Sequence, residues 1–477
     1  MSSKGDTKGA LSARFRVGLI SAWTLVVFPL TFLGYGSDPD AWLVARAAHD
    51  IAKTHTYVAS RSTGFPLFEI LEAPLVSSGG WMLANLLPLV SGIAGLCALF
   101  RMARNGIMHA PRVTIAVFAF LPVIVKNASS TMDYMPGLAL LLWAMATLGE
   151  KRRLLPAVFL GLAAGFRPTN ALFLIPCLLA LRAEERPGRE MFRFAAVTFV
   201  TSCVSFSPAL LTIGIRGSYA VMHFDILTRT MIGAYNAAAL FGVQGWCAIA
   251  CAILLAGMNP RLRVHPIPPR SFLVLHISVI VLWAILFALL PDEPEYLLPT
   301  VPSVMLLLDR ILSKRAWVIV SLFLLSYHFF RIETAGGESG ERTFTVAIRP
   351  GRTIADVQDR VFKLSVRDAA VEAHVERPTV LMYGSLWIPT LHHTWSFDTM
   401  RGMWARRDRR LFIAEKILEE KRLRRLRDEG FRLVVWKSDK WEYTRSGHPT
   451  WREYVDVVDD LETFFGRKLR GKPLTLH

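Results

Sequence analysis

Long runs of apolar residues fill the first two thirds of the chain and become scarce after residue 330. A helix needs roughly 20 apolar residues to cross a hydrocarbon core of about 30 Å, and shorter helices are tolerated where neighbouring helices shield them. The sequence therefore predicts a mainly α-helical, polytopic membrane domain of about eleven helices over residues 17–330. The predicted helices are 17–34, 81–100, 113–125, 135–148, 154–165, 171–181, 195–213, 238–256, 272–290, 296–308 and 316–330.

Residues 331–477 follow a different rhythm, in which short apolar strands alternate with helical segments. Buried strands are predicted at 379–383 and 431–436, and helices are predicted at 411–427 and 451–465. Strands that alternate with helices favour parallel pairing. We therefore predict a small α/β domain with a parallel sheet after the membrane domain.

Charged residues are sparse and unevenly distributed. They make up 19% of the chain, against about 25% in typical soluble domains, and 52% of the residues are hydrophobic. The net charge of +17 is carried mostly by short loops between apolar runs, a distribution that is typical of membrane topology and argues against a nucleic-acid partner. The five cysteines lie in apolar runs without metal-ligand spacing, and the sequence has no Gly-rich phosphate loop. We therefore expect neither a zinc site nor a nucleotide cofactor.

The loops between the apolar runs alternate in charge. Every second loop is basic, as cytoplasmic loops are, and the loops between them are richer in Asp, Glu, Tyr and Asn. Basic residues before the first helix place segment 1–16 in the cytoplasm. The alternation then places the first long loop, 35–80, and the C-terminal domain outside. The basic loops include Arg101 and Arg104, Arg152 and Arg153, Arg261 and Arg263, and Arg310 and Lys314.

An acidic pair opens the predicted outer loop, in the segment Ser37-Asp38-Pro39-Asp40. Two carboxylates one residue apart can bind a divalent cation such as Mg²⁺ or Mn²⁺, or one can act as a general base while the other orients a substrate. The same residues also suit a helix start, with Asp38 as the N-cap, Pro39 at the first helical position and Asp40 near the positive helix end. The two interpretations are compatible, because a cap can present its neighbour to a ligand.

Four other polar residues on the predicted outer side are candidates for chemistry or binding. Arg61 can pair with a phosphate through its planar guanidinium or lie among lipid headgroups. Glu69 is either a binding residue at the membrane edge or an acid on a helix surface. Asp133 lies between two apolar runs, where an ionisable group is costly and usually faces a cavity or a partner. Arg167 stands at a break between two short helices, where it can bind a phosphate or extend to the headgroups.

A further acidic segment, Asp292-Glu293-Pro294-Glu295, is followed directly by Tyr296. Its position at the start of an apolar run puts it at the predicted membrane surface. These residues can contact an acceptor or a metal ion, and they can equally form a solvated helix cap.

In their order along the chain, these motifs resemble those of the GT-C superfamily of integral-membrane glycosyltransferases. The resemblance covers residues 17–330 and rests on four features: the Asp38–Asp40 pair, Asp133, the connection Gly165-Phe166-Arg167-Pro168-Thr169, and Glu295-Tyr296-Leu297-Leu298-Pro299. The last segment is similar to the RYLLP stretch of bacterial members, although Glu295 stands where those members often carry a basic residue. Residues 61–67 also resemble the R-x-x-G-x-P pattern of the protein mannosyltransferase and aminoarabinose transferase branches.

The resemblance implies a transferase of the bacterial inner membrane that takes a sugar from a polyprenyl-phosphate donor at the outer face. A glycan, a lipid or a protein would be the acceptor, and an extracytoplasmic C-terminal domain is usual in such proteins. By this resemblance Asp38 or Asp40 is the catalytic base or a metal ligand, and Asp133 supports the same centre. The implied substrate-binding residues are Arg61 and Arg167 for the departing phosphate, together with Glu69, Glu295 and Tyr296.

Two other functions are compatible with parts of the pattern. A transporter or flippase of lipid-linked or small solutes would also use broken helices and ionisable groups, but its charges are expected near the middle of the membrane and not in outer loops. A non-catalytic assembly protein for envelope polysaccharides would use the basic run 421–427 to bind anionic lipid or glycan. That run also fits one solvated face of a helix.

Overall fold

The computed structural model describes most of the helical part and portions of the C-terminal part. The described residues are 11–61, 63–150, 154–214, 226–262, 268–291, 293–336, 344–372, 377–382, 411–414, 420–436, 455–458, 461–465, 468 and 470. The predicted segment 1–16 is therefore described from residue 11 onward, and Asp292 lies outside the described residues.

Each of the eleven apolar runs overlaps a helix. The helices of this part are α1 (Ala13–Val27), α2 (Pro39–Thr54), α3 (Pro66–Ala84), α4 (Leu86–Arg104), α5 (Pro111–Ala119), α6 (Pro122–Asn127), α7 (Tyr134–Thr147), α8 (Leu154–Phe166), α9 (Leu174–Ala183), α10 (Gly188–Ile213), α11 (Ile226–Met258), α12 (Arg270–Leu289), α13 (Thr300–Ile311) and α14 (Lys314–Ser326). Short 3₁₀ turns at Phe28–Phe32, Pro168–Phe173 and Pro294–Leu297 extend α1 and precede α9 and α13.

Five of the described helical segments are long and apolar enough to cross a membrane. They are Ala13–Phe32, Leu86–Arg104, Gly188–Ile213, Arg229–Met258 and Arg270–Leu289. In α12 the side chains at every fourth position, Ile277, Val281, Ile285 and Leu289, are each 50% or more exposed. An apolar stripe of this kind is suited to contact lipid, so the protein is an integral membrane protein. The number of crossings made by the shorter helices stays a prediction.

Loops that belong to the same predicted set contact each other. In the basic set, Arg101 pairs with Glu150 at 2.6 Å, and Arg310 donates to the carbonyl of Ile107 at 2.7 Å. In the acidic set, Arg61 pairs with Asp133 at 2.8 Å, and the other contacts described below join further loops of the same set. We call these the basic-loop group and the acidic-loop group. The grouping agrees with the charge alternation, and the assignment of the acidic-loop group to the outer face stays a prediction.

The predicted first outer loop, 35–80, contains two helices, and the first begins where the Asp38-Pro39-Asp40 pattern predicts a helix start. Helix α2 begins at Pro39 because Asp38 caps it, and it ends at His55, which has a left-handed backbone. Helix α3 packs along α2 and is interrupted at Gly79 and Gly80, whose dihedral angles are not helical. The two helices rest on the apolar core and position the residues between them.

The C-terminal part begins with an antiparallel hairpin and a long helix. Strands β1 (Phe330–Gly336) and β2 (Phe344–Pro350) pair along seven residues each, and α15 (Arg352–Glu372) follows directly. The later part contains β3 (Thr379–Met382), β4 (Leu411–Ala414), α16 (Glu420–Asp428), β5 (Arg432–Trp436), β6 (Asp456–Val458) and α17 (Leu461–Phe465). Strands β3 to β6 form a parallel sheet in the order β4-β3-β5-β6, as the alternation predicted.

Two predicted helices of this part were wrong at their starts. The segment 411–427 begins as strand β4, its described helix is Glu420–Asp428, and residues 415–419 lie outside the described residues. The segment 451–465 contains strand β6 before the short helix α17, and residues 451–454 lie outside the described residues. A short apolar run such as Leu411-Phe412-Ile413-Ala414 satisfies helix and strand patterns alike, and pairing with β3 decides between them.

Candidate active site

Asp38 is the N-cap of α2, and it presents Asp40 to the acidic-loop group. The Asp38 carboxylate accepts a hydrogen bond from the backbone N–H of Asp40 at 2.9 Å, with Pro39 at the first helical position. This confirms the capping interpretation. The Asp40 carboxylate takes no part in the cap and pairs with Arg61 at 2.6 Å, so the two acids have different local tasks.

A chain of buried ion pairs links three segments that are far apart in sequence. Arg61 bridges Asp40 and Asp133, and Asp133 uses its second oxygen to pair with Arg167 at 2.8 Å. The Asp133 side chain is fully buried at the start of α7, whereas Arg61 and Arg167 are 14% and 12% exposed. A charge buried in this way is stable only because both of its oxygens are paired.

The loop that carries Arg61 is closed by Glu69. One carboxylate oxygen of Glu69 accepts from the Ser60 N–H at 2.7 Å, and the other accepts from the Tyr57 hydroxyl at 2.5 Å and the Phe65 N–H at 3.0 Å. Gly64 has a φ of +70°, and a Cβ there would lie 2.5 Å from the Tyr57 hydroxyl. Glu69 therefore holds the loop together. Its predicted role in substrate binding stays a prediction.

Arg167 is held flat between aromatic rings. Its guanidinium carbon lies 4.1 Å from the centre of the Tyr134 ring and 4.7 Å from that of Tyr296. Arg167 has an extended backbone and directly precedes the 3₁₀ turn Pro168–Phe173. The connection between α8 and α9 thus belongs to the acidic-loop group. Stacking of this kind fixes the guanidinium plane without using its N–H donors.

A third carboxylate, Glu293, joins Asp38 and Asp40. Carboxylate oxygens of the three residues all lie within 4.8 Å of one another, and the Tyr134 hydroxyl donates to Glu293. Burial and the neighbouring charges of Asp38 and Asp40 raise the pKa of Glu293 to about 8. Burial and Asp40 likewise raise the pKa of Asp38. Three carboxylates held close together repel one another. Such a set, which offers only oxygen ligands, fits the preference of Mg²⁺ or Mn²⁺ for carboxylate ligands.

Glu295 lies beside this cluster and is neutralised by two cations. Lys126, at the end of α6, pairs with one Glu295 oxygen at 2.8 Å, and Arg352 of α15 reaches the same oxygen at 2.9 Å. Burial by itself would raise the pKa of Glu295, but the two cations lower it to about 2. Glu295, which stands where bacterial members of the resembled superfamily often carry a basic residue, thus pairs with two basic residues from elsewhere in the chain.

An apolar cavity of about 160 Å³ opens beside Arg167. Trp283, Leu286, Phe287 and Leu290 line it from the end of the membrane-spanning helix α12, while Tyr134, Arg167, Glu295 and Tyr296 supply its polar edge. Trp283 and Phe287 are buried and lie on the side of α12 opposite its exposed apolar stripe, so the cavity is an apolar space within the helical part, next to the charged cluster.

No family model and no curated protein matches the sequence. The solved structures that are similar to this chain include two that overlap much of it. One is an oligosaccharyltransferase from Archaeoglobus fulgidus in the apo form, with a TM-score of 0.44 and 10% identity over 78% of this chain. The other is ArnT from Cupriavidus metallidurans in the apo state, with a TM-score of 0.38 and 13% identity over 94% of this chain and 90% of ArnT.

This chain spans 62% of the length of the oligosaccharyltransferase. Both proteins are GT-C glycosyltransferases, the superfamily whose motifs the sequence resembles. Since both similarities are distant, we base the functional proposal on the site residues of this chain.

The structure gathers the predicted residues Asp38, Asp40, Arg61, Asp133 and Arg167 into one connected cluster, with Glu295 and Tyr296 at its edge. Sequence reasoning did not assign roles to Lys126, Tyr134 and Arg352. Lys126 carried a usable signal, since it is a cation at the end of an apolar run. Arg352 carried none, because its partner Glu295 lies 57 residues away.

Proposed function

We propose that this protein is a membrane glycosyltransferase that moves a sugar from a polyprenyl-phosphate donor to an acceptor hydroxyl at the outer membrane face. The observation that supports this most is the Asp40–Arg61–Asp133–Arg167 chain beside an apolar cavity that is lined by the buried side of α12. A donor with a hydrocarbon tail and an anionic head matches both halves of that arrangement. The head would bind at the guanidinium groups and the tail would lie along α12.

In the proposed reaction, Asp40 accepts the proton of the acceptor hydroxyl, and the oxygen attacks the anomeric carbon of the donor. The bond from that carbon to the lipid-phosphate oxygen breaks, and the phosphate leaves with the electron pair. Arg61 and Arg167 stabilise the charge that develops on the phosphate. Asp133 holds both guanidinium groups in place beforehand, so that little reorganisation is needed when the charge appears.

A divalent cation would be held by Asp38, Asp40 and Glu293, whose oxygens are close enough to share one ion. When bound, such a cation supplies positive charge that polarises an oxygen ligand and offsets the repulsion among the three carboxylates. Asp38 would retain its cap contact with the Asp40 N–H in that state, which keeps the ligand pair in register.

The test is to replace Asp38 and Asp40 separately by Asn and to measure sugar transfer from a polyprenyl-phosphate donor in proteoliposomes. We expect Asp40→Asn to lower the rate by about 10²–10³-fold, since a positioned base contributes about that much or more. Glu150→Gln in the basic-loop group is the matched control and should transfer at the wild-type rate. Unchanged turnover in both Asp variants would refute the assignment. Donor flux without transfer in the same liposomes would favour the flippase alternative.

A further inference from the structure

Four charged residues lie along one face of α15, at the spacing 352, 356, 360 and 363. Their side chains, Arg352, Asp356, Arg360 and Lys363, are 16%, 5%, 0% and 6% exposed. A helix of the C-terminal part has no evident reason to bury four charges, because each ionised group loses water when it is buried. Two ion pairs lie within the helix, Arg360 with Asp356 at 2.9 Å and Lys363 with Asp359 at 2.8 Å, and the other partners of these charges lie in three other segments.

The first partner is Ser37, the residue directly before Asp38. Its hydroxyl donates to Asp356 at 2.5 Å, and the Lys363 ammonium donates to its backbone carbonyl. The side-chain hydroxyl and the backbone carbonyl of Ser37 are therefore both bound by α15. The helix fixes the turn from which Asp38 and Asp40 project.

The second partner is the end of α6. Arg360 donates to the Ser129 carbonyl at 2.9 Å, to the Ser130 hydroxyl at 2.5 Å and to the Lys126 carbonyl at 3.4 Å. Cations are favoured at the C-terminal end of a helix, where backbone carbonyls lack partners. Arg360 thus fixes the segment from which Lys126 reaches Glu295.

The third partner is Glu295, which pairs with Arg352 at 2.9 Å. Ser37, the Lys126–Ser130 segment and Glu295 belong to three different parts of the chain, and each lies next to a member of the carboxylate cluster. One helix face therefore contacts all three segments at once.

We propose that α15 is a positioning element of the candidate active site, in which Asp356 and Lys363 set the Ser37–Asp40 turn, Arg360 sets the end of α6 and Arg352 sets Glu295. The inference rests on the function proposed above. It makes the first helix of the C-terminal part a component of the catalytic unit, while none of its side chains needs to touch the substrate. Because a misplacement of about 1 Å can cost about 10²-fold in rate, loss of one of these contacts is expected to lower turnover.

The test replaces Lys363 by Met in the full chain and measures transfer kinetics. We expect kcat to fall by about 10-fold to 100-fold while KM for the donor changes less than about twofold, since the turn moves but the donor site does not. Lys363→Arg keeps a donor at this position and should restore most of the rate. Ser37→Ala is a milder variant, which removes the contact with Asp356 and should lower kcat less. Arg377→Gln removes the same positive charge at an exposed position, and Asp368→Asn removes a charge from an exposed position of α15 itself; wild-type kinetics are expected for both controls.

A second readout is independent of sugar transfer. Amide hydrogen exchange of residues 36–42 in detergent should be about tenfold faster in Lys363→Met and Ser37→Ala, and unchanged in the controls. Faster exchange in a protein that transfers no sugar with any donor would support the positioning role and count against the proposed function. Active protein in which both variants keep wild-type kcat and exchange would overturn the positioning role alone.

Discussion

Two buried aspartates, Asp133 and Asp309, are satisfied in different ways. Asp309, in the basic-loop group, accepts from the N–H of His109 at 2.5 Å, the N–H of Ala110 at 2.8 Å and the Thr114 hydroxyl at 2.6 Å. All three donors are neutral and belong to one helix start. Asp133, in the acidic-loop group, is held by two arginines from separate loops beside a cavity.

Under the proposed function, the difference separates a structural acid, Asp309, from an acid of the candidate active site, Asp133. Asp309 closes the start of α5 onto α13, and the Thr114 hydroxyl that donates to it also accepts from the Trp317 indole at 2.9 Å, which extends the same structural contact to α14. Asp133 holds two cations that keep further N–H groups and lie 14% and 12% exposed. Burial alone would have ranked the two residues equally, since both are at most 1% exposed. The charge and the partial exposure of the partners distinguish them.

The largest effect is expected for Asp133→Asn. The variant keeps the shape but removes the charge that aligns Arg61 and Arg167, so transfer should fall by about 10³-fold. The check is the initial rate of transfer in proteoliposomes, corrected for folded protein. Asp309→Asn is the matched control, and its rate per folded molecule should remain near wild type. A comparable loss of rate in both variants would remove the distinction drawn between the two acids.

Asp309→Ala should lower the stability of the protein and leave the transfer rate per folded molecule near wild type. Three buried donors lose their acceptor, and each unsatisfied group costs about 1–3 kcal/mol, so we expect a loss of about 3 kcal/mol or more in the free energy of unfolding. A fall in the thermal unfolding midpoint of detergent-solubilised protein measures it. An unchanged midpoint would contradict a structural role for this residue.

The two acids of the 293–295 segment should respond to pH with opposite signs. The folded pKa of Glu293 is raised to about 8, so its contribution to stability is complete below about pH 4.5 and is lost as the pH rises to 8. The folded pKa of Glu295 is lowered to about 2, so its contribution to stability is present above pH 4.5 and is lost as the pH falls towards 2.

Glu293→Gln should therefore flatten the decline of the unfolding midpoint between pH 5 and pH 8. Glu295→Gln should leave that alkaline decline in place. Midpoints measured without divalent cation across this range test the pair, and identical profiles for the two variants would show that the charges around them are not as described.

The smallest effect is expected for Glu150→Ala. Its pair with Arg101 spans 2.6 Å, but both side chains are about 30% exposed and salt screens them. Surface pairs contribute about 0–1 kcal/mol, so the change in stability should fall below about 1 kcal/mol. Thermal unfolding at two salt concentrations is the measurement. A loss as large as that of Asp309→Ala would show that the basic-loop group depends on this pair.

Much of the helical part could be predicted from the sequence, because an apolar composition marks each helix whether or not it is long enough to cross a membrane. The start of α2 could be predicted too, since Asp38, Pro39 and Asp40 specify a cap locally. The two strand errors have the opposite cause: β4 and β6 are three or four residues long, and pairing with distant strands decides their state.

The residues of the candidate site could be predicted from the sequence, but the ion pairs that they form with one another could not. Charge alternation put Asp40, Arg61, Asp133 and Arg167 on one side, yet nothing local indicates that Arg61 bridges two of them. Lys126 and Glu295 are 169 residues apart, and packing of the whole helical part brings them together.

The contact between Ser37 and α15 also constrains how the chain is threaded through the bilayer. Two groups that hydrogen-bond to each other share a compartment, so the chain between residue 38 and residue 352 must cross an even number of times. The four long helices after α1 satisfy this parity, and so do the ten predicted helices after the first. A short helix that enters and leaves by one face does not alter it. Reporters fused after Thr54 and after Glu372 must therefore give the same compartment, whichever of the short helices span.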